Sequence, residues 1–300
     1  MLPSPPAFDT QQPGDRLHSR NDMTALLVLV AILALACTDN PFEDSSTITA
    51  AGRSISGVVQ LQGRVDHGGV RIVLEGFNIS VLTDAQGAFT LRIPTETMQS
   101  GAGEISGVFA LYAFLGNFTI DSIRVAVHKG SLVLPSEKLD EQGRLRTPMV
   151  LRERFSMDVQ LSPASIDADS ARTIMVSTVL NSGYTSDRVY FPRRLGNVEG
   201  PMLLVNESSG EIRITPSTVT GIELSDNIQL GGMNYSRTQI LLIPKHTLTA
   251  GRYLVIPYIL ASPDRMPAAL PLSLGMDVRS FGPGYRWYPM LRGGGVLSVR

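Results

Sequence analysis

Four histidines, one cysteine and scattered carboxylates are the groups with which this chain could do acid–base, nucleophilic or metal chemistry. His18 lies in an N-terminal leader, His67 in the turn VDHGG, His128 on the polar side of an alternating segment, and His246 just after Pro244. None of them accompanies a Gly-x-Ser-x-Gly elbow, the sharp turn that exposes a serine nucleophile to its base. Each is therefore read as a solvated surface histidine. A zinc site needs clustered nitrogen or sulfur ligands, and the chain has no His-Glu-x-x-His, no cysteine pair and no closely spaced histidines. Asp167 and Asp169 in IDADS could offer oxygens to calcium, but two acids without further ligands describe a solvated turn. The glycine-rich pieces RGGGV and FGPG lack the flanking Lys-Ser/Thr or strand-turn-helix context that cradles phosphate. No metal, no cofactor and no catalytic residue is assigned, and the chain is read as a non-enzyme.

Composition points the same way. With 26 basic against 27 acidic residues, the net charge of −1 disfavours a nucleic-acid partner, because phosphate binding by counterion release needs a cationic excess. Glycine (28) and proline (19) are abundant while aromatics are 6%, the profile of a turn-rich, mostly β chain. A single cysteine rules out an internal disulfide framework.

That cysteine has a setting of its own. Residues 25–37, ALLVLVAILALAC, are apolar and uncharged, and end abruptly at the polar segment TDNPFEDSST. A membrane-crossing helix needs about 20 apolar residues, so this run fits the apolar region of a signal peptide instead. Arg16 and Arg20 precede it, offset by Asp15 and Asp22, and either Met1 or Met23 could start the chain. Small Ala34 and Ala36 lie just before Cys37. The pattern resembles the lipobox of bacterial lipoproteins. The resemblance implies that residues 1–37 are leader and signal peptide, that Cys37 is lipidated, and that the mature chain is membrane-anchored outside the cytoplasm. Thr38, in place of the aspartate linked to inner-membrane retention, points to the outer membrane. An ordinary secreted protein with one unpaired cysteine, or a buried helix, is the alternative.

Residues 38–53 are polar and aperiodic, as a tether should be. Period-two alternation then dominates, which predicts strands. Ile55, Val59 and Leu61 share one side; Val70, Ile72 and Leu74 alternate with Arg71 and Glu75; Phe89, Leu91 and Ile93 alternate with Thr90 and Arg92. In the intervening TDAQGAF, Asp84 can bond its own turn and Gly87 can supply positive φ, so residues 79–93 are predicted to form a hairpin. Residues 108–118 are apolar on both sides, the mark of a central strand, and Ile123, Val125 and Val127 follow in alternation. ISGVVQLQGRV, GGVRIVLEG and VLTDAQGAFTLRIP together resemble the carboxypeptidase regulatory-like family over residues 54–151. That resemblance implies a transthyretin-like β-sandwich serving as a non-catalytic accessory module.

Residues 152–279 carry a second set of strand signals: Phe155, Met157, Val159 and Leu161; then ARTIMVSTVLNSG; then TAGRYLVIPYIL. The last places Leu254, Ile256, Tyr258 and Leu260 on one face, with Pro257 predicting an edge or a bulge. LSPASIDADSARTIMVSTVLNSG and LTAGRYLV resemble bacterial immunoglobulin-like repeats, and the unit as a whole is similar to the proteinase-inhibitor type of β-sandwich. The fold expected is all-β: two β-sandwich domains in tandem after a signal peptide and polar tether.

Residues 280–300 contain Arg286, Arg292 and Arg300 with no acid, besides Phe281, Tyr285, Trp287 and Tyr288. Tyr285, Arg286, Trp287 and Tyr288 are the candidate binding residues, since aromatic and arginine side chains make interface hot spots. The competing reading has Trp287 capping the second sandwich and VLSVR adding an edge strand. The function expected is a membrane-anchored extracytoplasmic lipoprotein that binds or scaffolds a protein or polysaccharide partner. The alternatives are proteinase inhibition through loops of the second domain and a surface hydrolase with loop carboxylates. Asn78, Asn117, Asn206 and Asn234 begin N-x-S/T sequons, which are chance matches in a bacterial chain.

Overall fold

Alternation gives a strand one apolar face, and that face is stable only against another apolar layer. The computed structural model describes residues 50–94, 105–183, 187–220, 225–232, 234–261, 266–268, 270, 271, 274 and 281–300, and the protein is all-β. The leader with His18, Cys37 and the tether up to residue 49 lie outside the described residues. No helix among the described residues is long and apolar enough to cross a membrane.

The first half contains β1 (Ser54–Leu61), β2 (Arg71–Leu74), β3 (Ile79–Leu82), β4 (Ala88–Arg92), β5 (Gly107–Phe114), β6 (Asp121–His128), β7 (Ser131–Leu132) and β8 (Met149–Leu151). They pair as two sheets, in the orders β4-β1-β8 and β3-β2-β5-β6-β7. Ile55, Val59, Phe89 and Leu91 from the first sheet meet Ile72, Leu74, Leu111 and Val125 from the second in one buried cluster. The arrangement is sandwich-like, each sheet covering the other's apolar face. Burying each such side chain contributes about 1.5–3 kcal/mol relative to leaving it in water.

The hairpin predicted over residues 79–93 does not form. Leu74 pairs with Ile79, so β3 lies beside β2, while Val58 pairs with Ala88, so β4 lies beside β1. TDAQGAF therefore carries the chain from one sheet to the other. Its turn chemistry is as expected: Asp84 Oδ1 accepts the Gln86 N–H at 3.0 Å and the Ala88 N–H at 2.8 Å, and Gly87 has φ +81°. The flanks decide the partners. Thr83 donates its N–H to the Val70 carbonyl (2.9 Å) and accepts the Val70 N–H on Oγ1 (3.0 Å), on the β2 side. Four residues on, the Gly87 carbonyl accepts the Val59 N–H (2.9 Å), on the β1 side.

The second half contains β9 (Phe155–Ser162), β10 (Ser165–Ile166), β11 (Arg172–Ser182), β12 (Asp187–Tyr190), β13 (Arg194–Leu195), β14 (Val198–Glu199), β15 (Met202–Asn206), β16 (Ile212–Thr215), β17 (Thr218–Thr220), β18 (Asn227–Leu230), β19 (Tyr235–Ile243), β20 (Gly251–Pro257), β21 (Leu260–Ala261), β22 (Gly293–Gly294) and β23 (Val296–Val299). Two five-stranded sheets dominate, ordered β10-β23-β20-β15-β16 and β17-β19-β11-β9-β22. Ile174 and Val176 of one and Leu203, Val205 and Val255 of the other share a core.

Two expectations about this half change. VLSV is an interior strand, antiparallel to β20 and parallel to β10, and Tyr285, Tyr288, Met290, Leu297 and Val299 belong to the same core. Pro257 closes β20, which is an interior strand between β15 and β23, but the β23 ladder reaches only Leu254, so the proline is paired with Met202 of β15 on one side alone, the locally open setting in which its missing N–H costs nothing. Tyr253 and Val255 take the inner face and Leu254 is only partly buried.

Thr49–Arg300 form one compact unit with two hydrophobic cores. The halves interlock, because Val73 and Phe114 of the first belong to the second core and Leu291 packs against the first. That second cover is why Ile72, Val73 and Leu74 of β2 are all buried.

Candidate functional site

The four aromatic and arginine candidates lie on and beside a 3-10 turn, Pro283–Trp287, begun by a proline whose missing N–H is not needed there. The turn separates them into an inner and an outer pair. Tyr285 is buried, and its hydroxyl accepts the Ile259 N–H (2.8 Å) and donates to the Ile259 carbonyl (2.6 Å). Tyr288 stacks on Tyr285 with centroids 5.7 Å apart and meets Phe114 edge-on at 5.8 Å. Burial pushes the Tyr288 phenol well above its ordinary range, and the neighbouring Tyr285 adds to the rise. These two tyrosines are therefore core residues, without the exposure that direct contact with a partner requires.

Of the outer pair, Trp287 is 59% exposed and Arg286 is partly buried. The Arg286 guanidinium lies 4.8 Å from the centre of its ring, a cation–π contact, and reaches back to the Gly210 carbonyl at 3.4 Å. Trp287 thus stands on a turn whose inward side is locked by Tyr285 and Tyr288, which keeps the ordering cost of a contact low.

The histidines occupy separate elements. His67 is partly buried and its Nδ1 accepts the Leu61 N–H (3.1 Å), so it braces a turn instead of being a freely solvated side chain. His128 ends β6, and His246 sits in a loop with φ +57°. Asp167 and Asp169 are exposed, and among the described residues no group of three His, Cys, Asp or Glu side chains could hold a metal ion.

Several residues acquire roles that their sequence setting did not reveal. Asn117, noted above as the start of a sequon, is 1% exposed and bonds Phe155 and Leu291 across the joint between the halves. A polar amide inside the apolar run FLGNF is the signal that could have marked it. Asn206 is buried too, its Oδ1 accepting the N–H groups of Ser208 and Ser209. Beside the Asn117 joint lies a cleft of about 420 Å³ whose walls include Arg64, Asp66, Glu153, Met157, Leu291 and Arg292. An open groove of about 740 Å³ runs past Ile214 of β16 and Leu242 of β19.

No protein-family model matches the chain, and no curated protein matches it.

Proposed function

We propose that this chain is an extracytoplasmic lipoprotein, held at a bacterial membrane by acyl chains on Cys37, whose β-rich unit binds or scaffolds a partner without catalysis. The anchor is supported by the apolar run 25–37, too short to span, ending in small residues and the chain's one cysteine. Several acyl chains on one cysteine exceed the two signals that stable anchoring takes. Thr38 favours the outer membrane. The first half serves as a carboxypeptidase regulatory-like accessory module, a reading supported by the sequence of ISGVVQLQGRV, GGVRIVLEG and VLTDAQGAFTLRIP.

The observation that carries the binding role is Trp287, exposed on a turn braced by buried tyrosines. A polysaccharide or protein surface would meet the ring, with Arg286 beside it contributing charge-assisted hydrogen bonds. The experiment expresses the full chain in a bacterium and compares it with Cys37→Ser and Trp287→Ala. Cys37→Ser should leave the membrane fraction; unchanged retention overturns the anchor. Trp287→Ala should stay in the membrane but lose the cell-surface component cross-linked to the parent, and an unchanged cross-linking pattern overturns the contact surface.

A further inference from the structure

The cleft beside Asn117 has an uneven distribution of counter-ions. Of its two acids, Glu153 is held by Arg64 at 2.6 Å, and Asp66 accepts the Gly68 N–H on Oδ1 at 2.8 Å. Arg292 is different. It is partly buried, and its Nη1 and Nη2 donate over long distances, 3.3 and 3.5 Å, to the carbonyls of Met290 and Tyr288. Its Nε is buried without a hydrogen-bond partner, and its guanidinium lies 5.5 Å from the centre of the Tyr285 ring. Among the described residues it has no carboxylate partner. A guanidinium withdrawn from water in this way gains most from a planar anion that takes two of its N–H groups.

We propose that this cleft binds a carboxylate carried on an apolar body, with Arg292 as the anion-binding residue. Met157 and Leu291 supply the apolar wall, and the Arg64–Glu153 pair lies in the same lining. Asp66 disfavours multiply charged anions such as phosphate. One carboxylate on an aliphatic body is the chemistry shared by a short fatty acid and the C-terminus of a peptide. The site goes beyond the anchor and the Trp287 surface and does not depend on either.

The test compares acids with their amides on the full chain, read by amide NMR signals of Leu291, Arg292 and Gly293. The probes are hexanoate against hexanamide, and a short leucine-ending peptide with a free against an amidated C-terminus. Saturable shifts with an acid and none with its amide are expected; hexanoate acting alone would identify a fatty acid, the free peptide alone a chain terminus. Arg292→Gln should weaken binding about tenfold or more, the worth of a charge-assisted hydrogen bond. Because Arg292 also holds two carbonyls, Ser156→Glu provides a second variant: it tethers a carboxylate in the same cleft with Arg292 intact, and should abolish binding. Equal shifts with acids and amides, no shift with any probe, or undiminished binding by Ser156→Glu would each overturn the proposal.

Discussion

Asn117 closes a two-way clasp on Leu291: its Nδ2 donates to the Leu291 carbonyl at 3.3 Å, and its Oδ1 accepts the Leu291 N–H at 3.1 Å. The same Nδ2 donates to the Phe155 carbonyl at 3.1 Å. One side chain of the first half thus satisfies backbone groups on two segments of the second, 38 and 174 residues away in sequence. Next to it, the Gly116 N–H donates to the Pro289 carbonyl at 2.6 Å. The joint is a hydrogen-bonded seam as well as an apolar contact.

Replacing Asn117 by leucine keeps the volume and removes the clasp. It leaves the partly buried Leu291 N–H and the Leu291 and Phe155 carbonyls without their partner, which should cost about 2–4 kcal/mol. Chemical denaturation measures the loss, and hydrogen exchange at the Leu291 amide should quicken in step. A change within about 0.5 kcal/mol would mean that water replaces the amide and that the seam is unimportant to stability.

The Arg154–Asp187 pair sits close to this seam in sequence and is nearly dry. Arg154 donates Nε and Nη2 to Asp187 Oδ1 at 2.8 and 2.6 Å, and Ser182 Oγ lies 3.0 Å from Oδ2. The two side chains are 15% and 5% exposed. Removing one partner strands the other as a buried charge, so Asp187→Ala should cost about 3–5 kcal/mol. The double variant Arg154→Met with Asp187→Leu should recover much of that loss, because apolar groups of similar size need no counter-ion. Denaturant midpoints of the two variants decide the matter, and a double variant no better than Asp187→Ala would show that the pair is more than a mutual desolvation problem.

The same contrast between local and distant causes explains what could be read from the chain alone. Ile72 and Leu74 announce their inward face by alternating with charged Arg71 and Glu75, a signal contained within five residues. Val73 between them is buried because the other half of the chain covers it, and no local pattern encodes that cover. Gly87 shows the limit most sharply. Its positive φ is foreseeable from TDAQGAF, and a Cβ there would lie 2.0 Å from the Val59 carbonyl oxygen. The glycine is thus demanded by β1, more than twenty residues earlier, and not by a hairpin between its own neighbours. At the candidate surface, residue types identified an aromatic and arginine cluster, but burial decides which members a partner can meet. Tyr285 and Tyr288 face the core while Trp287 is exposed and Arg286 is partly covered beside it, since in a 3-10 turn with three residues per turn positions three apart share a side. Arg292 is visible in the sequence as one of three arginines in an acid-free tail, but its buried, unpartnered Nε is set by the fold.

Alkaline pH should expose the cost of the tyrosine core. Desolvation raises the Tyr288 phenol above its ordinary value, and raises Tyr190 and Tyr112 as well. Below about pH 10 both folded and unfolded chains keep these phenols protonated, so stability is fully present. Above it the unfolded chain releases the Tyr288 proton while the folded chain retains it; the unfolded state then binds fewer protons, and stability falls as pH rises. One such group contributes a slope of about 1.4 kcal/mol per pH unit until the folded value is reached. Tyr288→Phe removes that contribution while keeping the ring against Phe114 and Tyr285. The variant should therefore lose stability less steeply than the parent above about pH 10, with the two curves running parallel below it. Denaturant titrations across that range, paired with tyrosinate absorbance of the folded chain, provide the measurement. Parallel curves throughout would show that Tyr288 ionises in place, and that the aromatic cluster is open to water in a way its burial does not allow.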